Sequence, residues 1–299
     1  MKSPALRLLT WTVAIAVSVY LLLAFAVVAL LSKPQRTFDA RQNPGQRGLA
    51  YQDIRFPARG GDAELAGWYI PHDSHRAALV MVHGKGGSRT NEQNGRNVEF
   101  LAALHQHGFA LVALDLRGHG QSSDARFSFG IHESRDVLGA VDYLSSKGYS
   151  RRQIGLHGVS MGAASVLLAA AQDPEVPAVI ADCGYSDFGR VLRREWYNRT
   201  HLPSLVMPGS RMIAKLWLGT DLLAVRPIDQ VPKIKSQVLF THAGLDGLIP
   251  PTDSQEMSAK LPGSTVWIQP GARHAAGFDA DPEAYTRHIT EFFDKTLHN

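Results

Sequence analysis

Six short apolar runs without polar alternation recur along the chain, at residues 77–82, 109–114, 154–158, 178–181, 238–241 and 265–268. Runs of this kind predict strands covered on both faces, as in a parallel sheet. Helical patterns lie between them. Residues 98–107 are closed by Gly108. Residues 134–147 set Val137, Val141 and Leu144 on one face and are closed by Gly148. A last helix over 282–297 starts with Pro282 in its first turn and turns Tyr285, Ile289, Phe292 and Phe293 inward. Residues 52–56 and 64–69 flank Arg59-Gly60-Gly61-Asp62, which predicts an antiparallel hairpin. Strand–helix alternation of this order defines an α/β fold with a mostly parallel sheet flanked by helices.

Two stretches break the rhythm. Residues 187–228 hold no clear strand, several aromatics and clustered arginines, and predict a small helical lid over the C-terminal edge of the sheet. Residues 8–32 carry no charge at all. At about 1.5 Å per helical residue they are long enough to cross a hydrocarbon core of about 30 Å. Lys2 and Arg7 precede the stretch, Lys33-Pro34 ends it, and Tyr20 falls near mid-span. Two readings compete. One is an uncleaved signal anchor. The other is a signal peptide cut after Ala24-Phe25-Ala26. The apolar run continues to Leu31, too long for a typical signal core, which favours the anchor. Arg36, Arg41 and Arg47 after the span count against export of the C-terminal domain, while the short basic tail on a first helix counts for it. The organisation expected is a tail at 1–7, a single-pass anchor at 8–32, a polar linker at 33–50 and one domain at 51–299, with the domain on the extracytoplasmic side.

Composition narrows the partners. A net charge of +4 with no run of Lys or Arg beyond a pair gives no nucleic-acid footprint. The single cysteine, Cys183, excludes an intrachain disulfide and a cysteine-based zinc cluster. Following an apolar run and Asp182, it reads as a buried structural thiol. No cofactor or metal site is expected. The partners expected are a small-molecule or lipid-like acyl substrate and a membrane.

The chemistry concentrates at strand ends. Gly158-Val159-Ser160-Met161-Gly162 lies between a strand and a helix rich in small residues. A sharp strand-to-helix turn of this kind lifts the serine side chain out of the fold as a candidate nucleophile. A serine hydroxyl needs a base for its proton and donors for the oxyanion. The run 77–82 ends in His83-Gly84-Lys85-Gly86-Gly87, so the backbone N–H groups of Lys85 and Met161 are the candidate oxyanion hole. The run 238–241 leads to Asp246, the candidate acid, with Asp182 as its rival. The run 265–268 leads to His274, the candidate base, set among small residues. The order Ser160, Asp246, His274 is nucleophile, acid, base.

These residues, with Asp115-Leu116-Arg117-Gly118-His119-Gly120-Gln121-Ser122, resemble the α/β-hydrolase superfamily over about five sixths of the chain. Within it they are similar to the group of serine aminopeptidase-like and lysophospholipase-like hydrolases, many of them bacterial and membrane-anchored. The resemblance implies an eight-stranded sheet whose second strand is antiparallel. It also implies cofactor-free hydrolysis of esters, thioesters or amides, and a bracing role for Asp115 and Arg117. Lys85 departs from the pattern, since relatives often carry an uncharged residue there. An ammonium pointing into the pocket would favour anionic substrates, and Arg273 raises the same question. An esterase is the reading taken. An aminopeptidase, with Asp187, Glu195 or Asp221 binding the free amine, an acyltransferase and a non-catalytic binding protein are the alternatives.

Overall fold

The computed structural model describes residues 3–297. Met1 and Lys2 of the expected tail and the last two residues of the expected domain lie outside the described residues. Eight strands form one sheet: β1 (Gln52–Pro57), β2 (Glu64–Ile70), β3 (Ala77–Val82), β4 (Phe109–Leu114), β5 (Ile154–Val159), β6 (Ala178–Asp182), β7 (Gln237–Ala243) and β8 (Thr265–Gln269). Their order is β1-β2-β4-β3-β5-β6-β7-β8. β2 runs antiparallel to both β1 and β4, and every other pairing is parallel. The chain has the α/β-hydrolase fold.

Among the described residues ten α-helices accompany the sheet: α1 (Pro4–Leu31), α2 (Asn97–Gln106), α3 (Glu133–Ser146), α4 (Met161–Ala170), α5 (Phe188–Thr200), α6 (Met207–Trp217), α7 (Pro227–Gln230), α8 (Thr252–Ala259), α9 (Gly277–Ala280) and α10 (Pro282–Thr296). Alternate residues of one strand feed opposite cores. Leu79 and Met81 of β3 join Phe100 and Leu104 of α2 and Ile289 and Phe293 of α10. Val80 and Val82 join Val137 and Val141 of α3 and Val166 and Leu167 of α4. Because both faces are covered, neither set is polar, which explains the unalternating runs.

The segment between β6 and β7 forms α5, α6 and α7 with short 3₁₀ turns. α6 packs along the C-terminal half of α1. Tyr20 bridges them, its hydroxyl accepting from the Gly209 N–H at 2.9 Å and donating to the Leu205 carbonyl at 3.2 Å. Phe25 stacks on Trp217 with ring centroids 4.6 Å apart, and the Arg126 guanidinium covers Trp217 at 3.9 Å. Tyr20, expected inside the span, is therefore a contact to the domain. The polar segment after α1 also lies on the domain rather than standing free. Gln35 pairs through its backbone with Gly118 and Gly120, and Arg36 donates to the carbonyls of Gly120 and Ser122 at 3.0 and 2.5 Å. Its composition reported polarity, while the acceptors that fix it come from the loop after β4.

Candidate active site

β5 delivers the chain into Ser160, which sits at φ 55° and ψ −112° between strand and helix. That conformation is sterically costly for a residue with a side chain. It is held by the Ser160 N–H, which donates to the Asp182 carbonyl at 2.7 Å. The flanking glycines are required by close approach. A Cβ on Gly158 would stand 2.3 Å from the Gly162 carbonyl oxygen, and one on Gly162 would stand 2.5 Å from that of Val82.

His274 lies in the loop between β8 and α9. Its Nδ1 is 2.6 Å from Asp246 Oδ2, and its Nε2 is 3.0 Å from Ser160 Oγ. A carboxylate only accepts, so Nδ1 carries the proton and the Nε2 lone pair faces the serine hydroxyl. The Asp246 side chain is buried just beyond β7. Its Oδ1 accepts the N–H groups of Leu248 and Ile249, both at 2.8 Å. Burial alone would raise its pKa. The hydrogen bonds from His242, His274 and the Ile249 amide outweigh burial and hold the carboxyl well below its usual range.

The structure thus brings Ser160, Asp246 and His274 together. The rival acid, Asp182, is not at His274. Its Oδ2 accepts from the Tyr285 hydroxyl at 2.7 Å. Cys183 is buried, and burial pushes its thiol pKa up.

The amide hydrogens of Lys85 and Met161 find no acceptor among the described residues. Met161 opens α4, where the first N–H groups have no partner within the helix. The loop that carries Lys85 is fixed from below. Glu92 accepts the Gly84 N–H at 2.6 Å. His83 donates from Nδ1 to the Gly84 carbonyl at 2.7 Å and accepts the Leu116 N–H on Nε2 at 3.0 Å. Burial lowers the His83 pKa to about 4, which keeps that acceptor free. Asp115 accepts the Arg89 and Gln121 N–H groups, each at 2.8 Å, and pairs with the buried Arg89 guanidinium. Arg117 is clamped by Asp136 at 2.7 Å and Asp62 at 2.8 Å. Both therefore sit as braces of the loop beside the site.

Two residues of the site carried no sequence signal. Glu92 has its pKa raised to about 7, chiefly by burial and partly by Asp182, against the lowering by its hydrogen bonds from Gly84 and Gln93 and by His274. His242 sits buried behind Asp246, its Nε2 3.3 Å from Oδ2 and 3.0 Å from the Ile249 carbonyl, its Nδ1 2.7 Å from Ser254 Oγ. Neither lies in a motif, and only the tertiary turn brings each to the site.

A narrow pocket opens over Ser160. Its wall combines the apolar Leu31, Phe129, Phe188, Val191 and Leu192 with the side chains of Lys85 and Arg199. Lys85 thus points to the pocket. Desolvation there and the charge of Arg199 lower its pKa. Arg273 is exposed and lines no part of it.

The fold is that of the α/β-hydrolases, and comparison with known proteins agrees with it. The profile of the serine aminopeptidase family (S33) matches residues 73–185. The chain is 28% identical to the uncharacterized protein YqkD of Bacillus subtilis over 77% of its own length and 75% of that protein. It is also 28% identical to an uncharacterized 31.7 kDa protein of Escherichia coli from the traX-finO intergenic region, over 73% of this chain and 91% of that one. Among solved structures, the Pyrococcus furiosus esterase Pf2001 superposes with a TM-score of 0.73 at 22% identity, covering 89% of this chain and 98% of that one. The α/β-hydrolase GrgF from Penicillium superposes with a TM-score of 0.66 at 20% identity, covering 83% and 99%. These likenesses show the α/β-hydrolase fold, and residues 73–185 match the serine aminopeptidase family.

Proposed function

We propose that this protein is a serine hydrolase of carboxylic esters or thioesters, with Ser160 as nucleophile, His274 as base and Asp246 as orienting acid. The observation that carries the reading is the hydrogen-bonded series from Ser160 Oγ through His274 to a buried, ionised Asp246. In this mechanism Ser160 Oγ attacks the acyl carbonyl while His274 Nε2 takes its proton. The oxyanion is held by the Lys85 and Met161 amides. The carbonyl re-forms, the bond to the leaving group breaks, and His274 returns the proton to the departing oxygen or sulfur. Water then repeats the sequence on the acyl-enzyme, with His274 as base, and releases the acid and free Ser160. Asp246 keeps Nδ1 protonated throughout and stabilises the imidazolium.

The pocket favours esters over aminoacyl amides. Recognition of a free amine needs a carboxylate, and the pocket wall carries two cations and none of the three acids considered for that role. Asp187 pairs with Arg226, Asp221 with Arg211 and Glu195 with Arg194. The segment 187–228 acts as the lid of this pocket, through Phe188, Val191 and Leu192. The N-terminal helix, 28 residues long and without a charge from Leu8 to its end, acts as an uncleaved membrane anchor with the domain on the extracytoplasmic side.

The test is fluorophosphonate labelling of the full chain alongside hydrolysis of a panel of acyl esters and aminoacyl amides. Labelling and ester hydrolysis are expected in the wild type and absent in Ser160→Ala, with the fold retained. Stoichiometric labelling of Ser160→Ala would sink the assignment.

A further inference from the structure

Lys85 and Arg199 reach the pocket over Ser160 from two separate elements. Lys85 comes from the loop after β3, and Arg199 from the last turn of α5. The Lys85 ammonium lies 5.9 Å from the centroid of the Phe129 ring, itself part of the pocket wall, and 6.0 Å from that of Phe127. Among the described residues neither cation has a carboxylate partner. The charge that acts on Lys85 is the like charge of Arg199. Where the domain buries a cation elsewhere it supplies a carboxylate, Asp115 for Arg89 and Asp136 for Arg117. Two like charges set against each other, with no carboxylate between them, cost free energy that an entering anion offsets.

The rest of the wall leaves this charge unanswered. Leu31, Phe129, Phe188, Val191 and Leu192 are apolar. The Tyr185 hydroxyl, also in the wall, is already engaged, donating to the Phe129 carbonyl at 2.5 Å. A cleft with low-dielectric walls and charge of one sign focuses its potential on the space inside. Lys85 and Arg199 are both solvent-exposed residues, so an anion can reach them without displacing a protein group. The pocket also has a side. Its wall includes Lys85 and Met161, whose amides are the proposed oxyanion donors, and does not include His274. In the mechanism above the leaving group departs past His274 Nε2, which protonates it. The pocket with the two cations therefore lies on the acyl side of the scissile bond.

We propose that Lys85 and Arg199 form an anion subsite, and that the substrate is a half-ester of a dicarboxylic acid, its free carboxylate between the two cations and its ester carbonyl at Ser160. The inference rests on the ester-hydrolase reading above and names the substrate class of that site. Lys85 then serves the reaction twice. Its amide holds the oxyanion, and its ammonium holds the far end of the same acyl group. The reach of one lysine side chain sets the separation of carbonyl and carboxylate, and the short methylene chain between them packs on the apolar wall. Hydrolysis consumes one water. Its oxygen stays with the acyl group to give the dicarboxylic acid, and a proton leaves with the alcohol. The same two cations repel the ammonium group of an aminoacyl substrate.

The experiment uses the full chain and follows ester hydrolysis of monomethyl adipate, of its uncharged counterpart methyl adipamate, and of carboxymethyl pentanoate, which carries the carboxylate on the alcohol instead. The wild type is expected to cleave monomethyl adipate with a kcat/KM at least about tenfold above that of methyl adipamate, the scale of one hydrogen bond to a charged group. Lys85→Met and Arg199→Met are each expected to lower that ratio at least about fivefold, chiefly through the KM of monomethyl adipate. Lys85→Arg, which keeps the charge, is expected to hold the ratio within about twofold of wild type. Loss of folded enzyme lowers both esters together and cancels in the ratio. An unchanged ratio in Lys85→Met and Arg199→Met overturns the subsite. A higher kcat/KM for carboxymethyl pentanoate than for monomethyl adipate overturns its place on the acyl side. A wild type that takes the fluorophosphonate label yet treats monomethyl adipate and methyl adipamate alike overturns the anion subsite alone. One that takes no label and cleaves none of the three overturns the hydrolase reading beneath it.

Discussion

His242 Nε2 stands 3.3 Å from Asp246 Oδ2, the oxygen that also receives His274 Nδ1 at 2.6 Å. One carboxylate thus faces two histidines, the second fully buried behind it. Burial works against a proton on His242, yet the hydrogen bonds to Asp246 and the Ile249 carbonyl raise its pKa overall. In the proposed mechanism this makes it a positioning residue, holding the carboxylate that orients the candidate base. A hydrogen bond to a charged group is worth about 1.5–3 kcal/mol. His242→Phe is therefore expected to lower kcat about tenfold or more with little change in KM. His242→Gln, which keeps an N–H donor, should recover most of the loss. Steady-state kinetics on one ester decides it, and an unchanged kcat in His242→Phe refutes the role.

The two candidate acids make opposite predictions. Asp246→Asn should lower kcat about 10⁴-fold, the scale of such a swap in a triad. Asp182→Asn should leave kcat within about tenfold and act on stability, because its partner is the buried Tyr285 hydroxyl. Parallel measurement of kcat and thermal midpoint separates them. The reverse ranking would move the acid to the end of β6.

Glu92 predicts a pH-dependent stability. Its folded pKa is raised to about 7 from an ordinary value of 4.5. Between those values the folded state binds more protons than the unfolded one, so stability falls as pH rises through the window. Asp246 acts with the opposite sign and lower down. Its depressed pKa contributes stability above the ordinary carboxylate range that is lost as pH falls below it. The buried Asp136, also raised to about 7 by desolvation, acts in the same window, so Glu92→Gln should reduce the decline between about pH 4.5 and 7 and raise the thermal midpoint over wild type at pH 8. Thermal melts at pH 5 and 8 test this. A decline as steep in Glu92→Gln as in the wild type would assign it to other groups.

The N-terminal helix should behave as part of the domain. The full chain is expected to stay in the membrane fraction through a high-salt or carbonate wash. A chain beginning at Lys33 loses Ala24, Val27 and Val28 from the core, and a buried aliphatic side chain contributes about 1.5–3 kcal/mol. Its thermal midpoint should drop by several degrees, and it should expose the apolar face of α6. Native protein recovered with its N-terminus at Val27 would instead identify a cleaved signal peptide.

By itself the sequence determined the strands, their order of appearance and the strand-end residues. Those features are local. Unbroken apolar runs mark two-faced burial, and the glycines around Ser160 mark a turn too tight for side chains, wherever the turn is placed. The positions of Asp246 and His274 after late strands followed from the resemblance in motif order, since both lie far along the chain from Ser160. The tertiary structure alone decided what each group touches. It set the distances among Ser160, His274 and Asp246, the second histidine at the acid, and the raised pKa of Glu92. It also turned Tyr20 and Leu31 from parts of an apolar span into contacts with the segment between β6 and β7 and with the pocket. None of these has a signature along the chain, because hydrogen bonding and desolvation depend on neighbours that folding brings from distant positions. A uniformly apolar helix, above all, does not record which of its turns meet lipid and which meet protein.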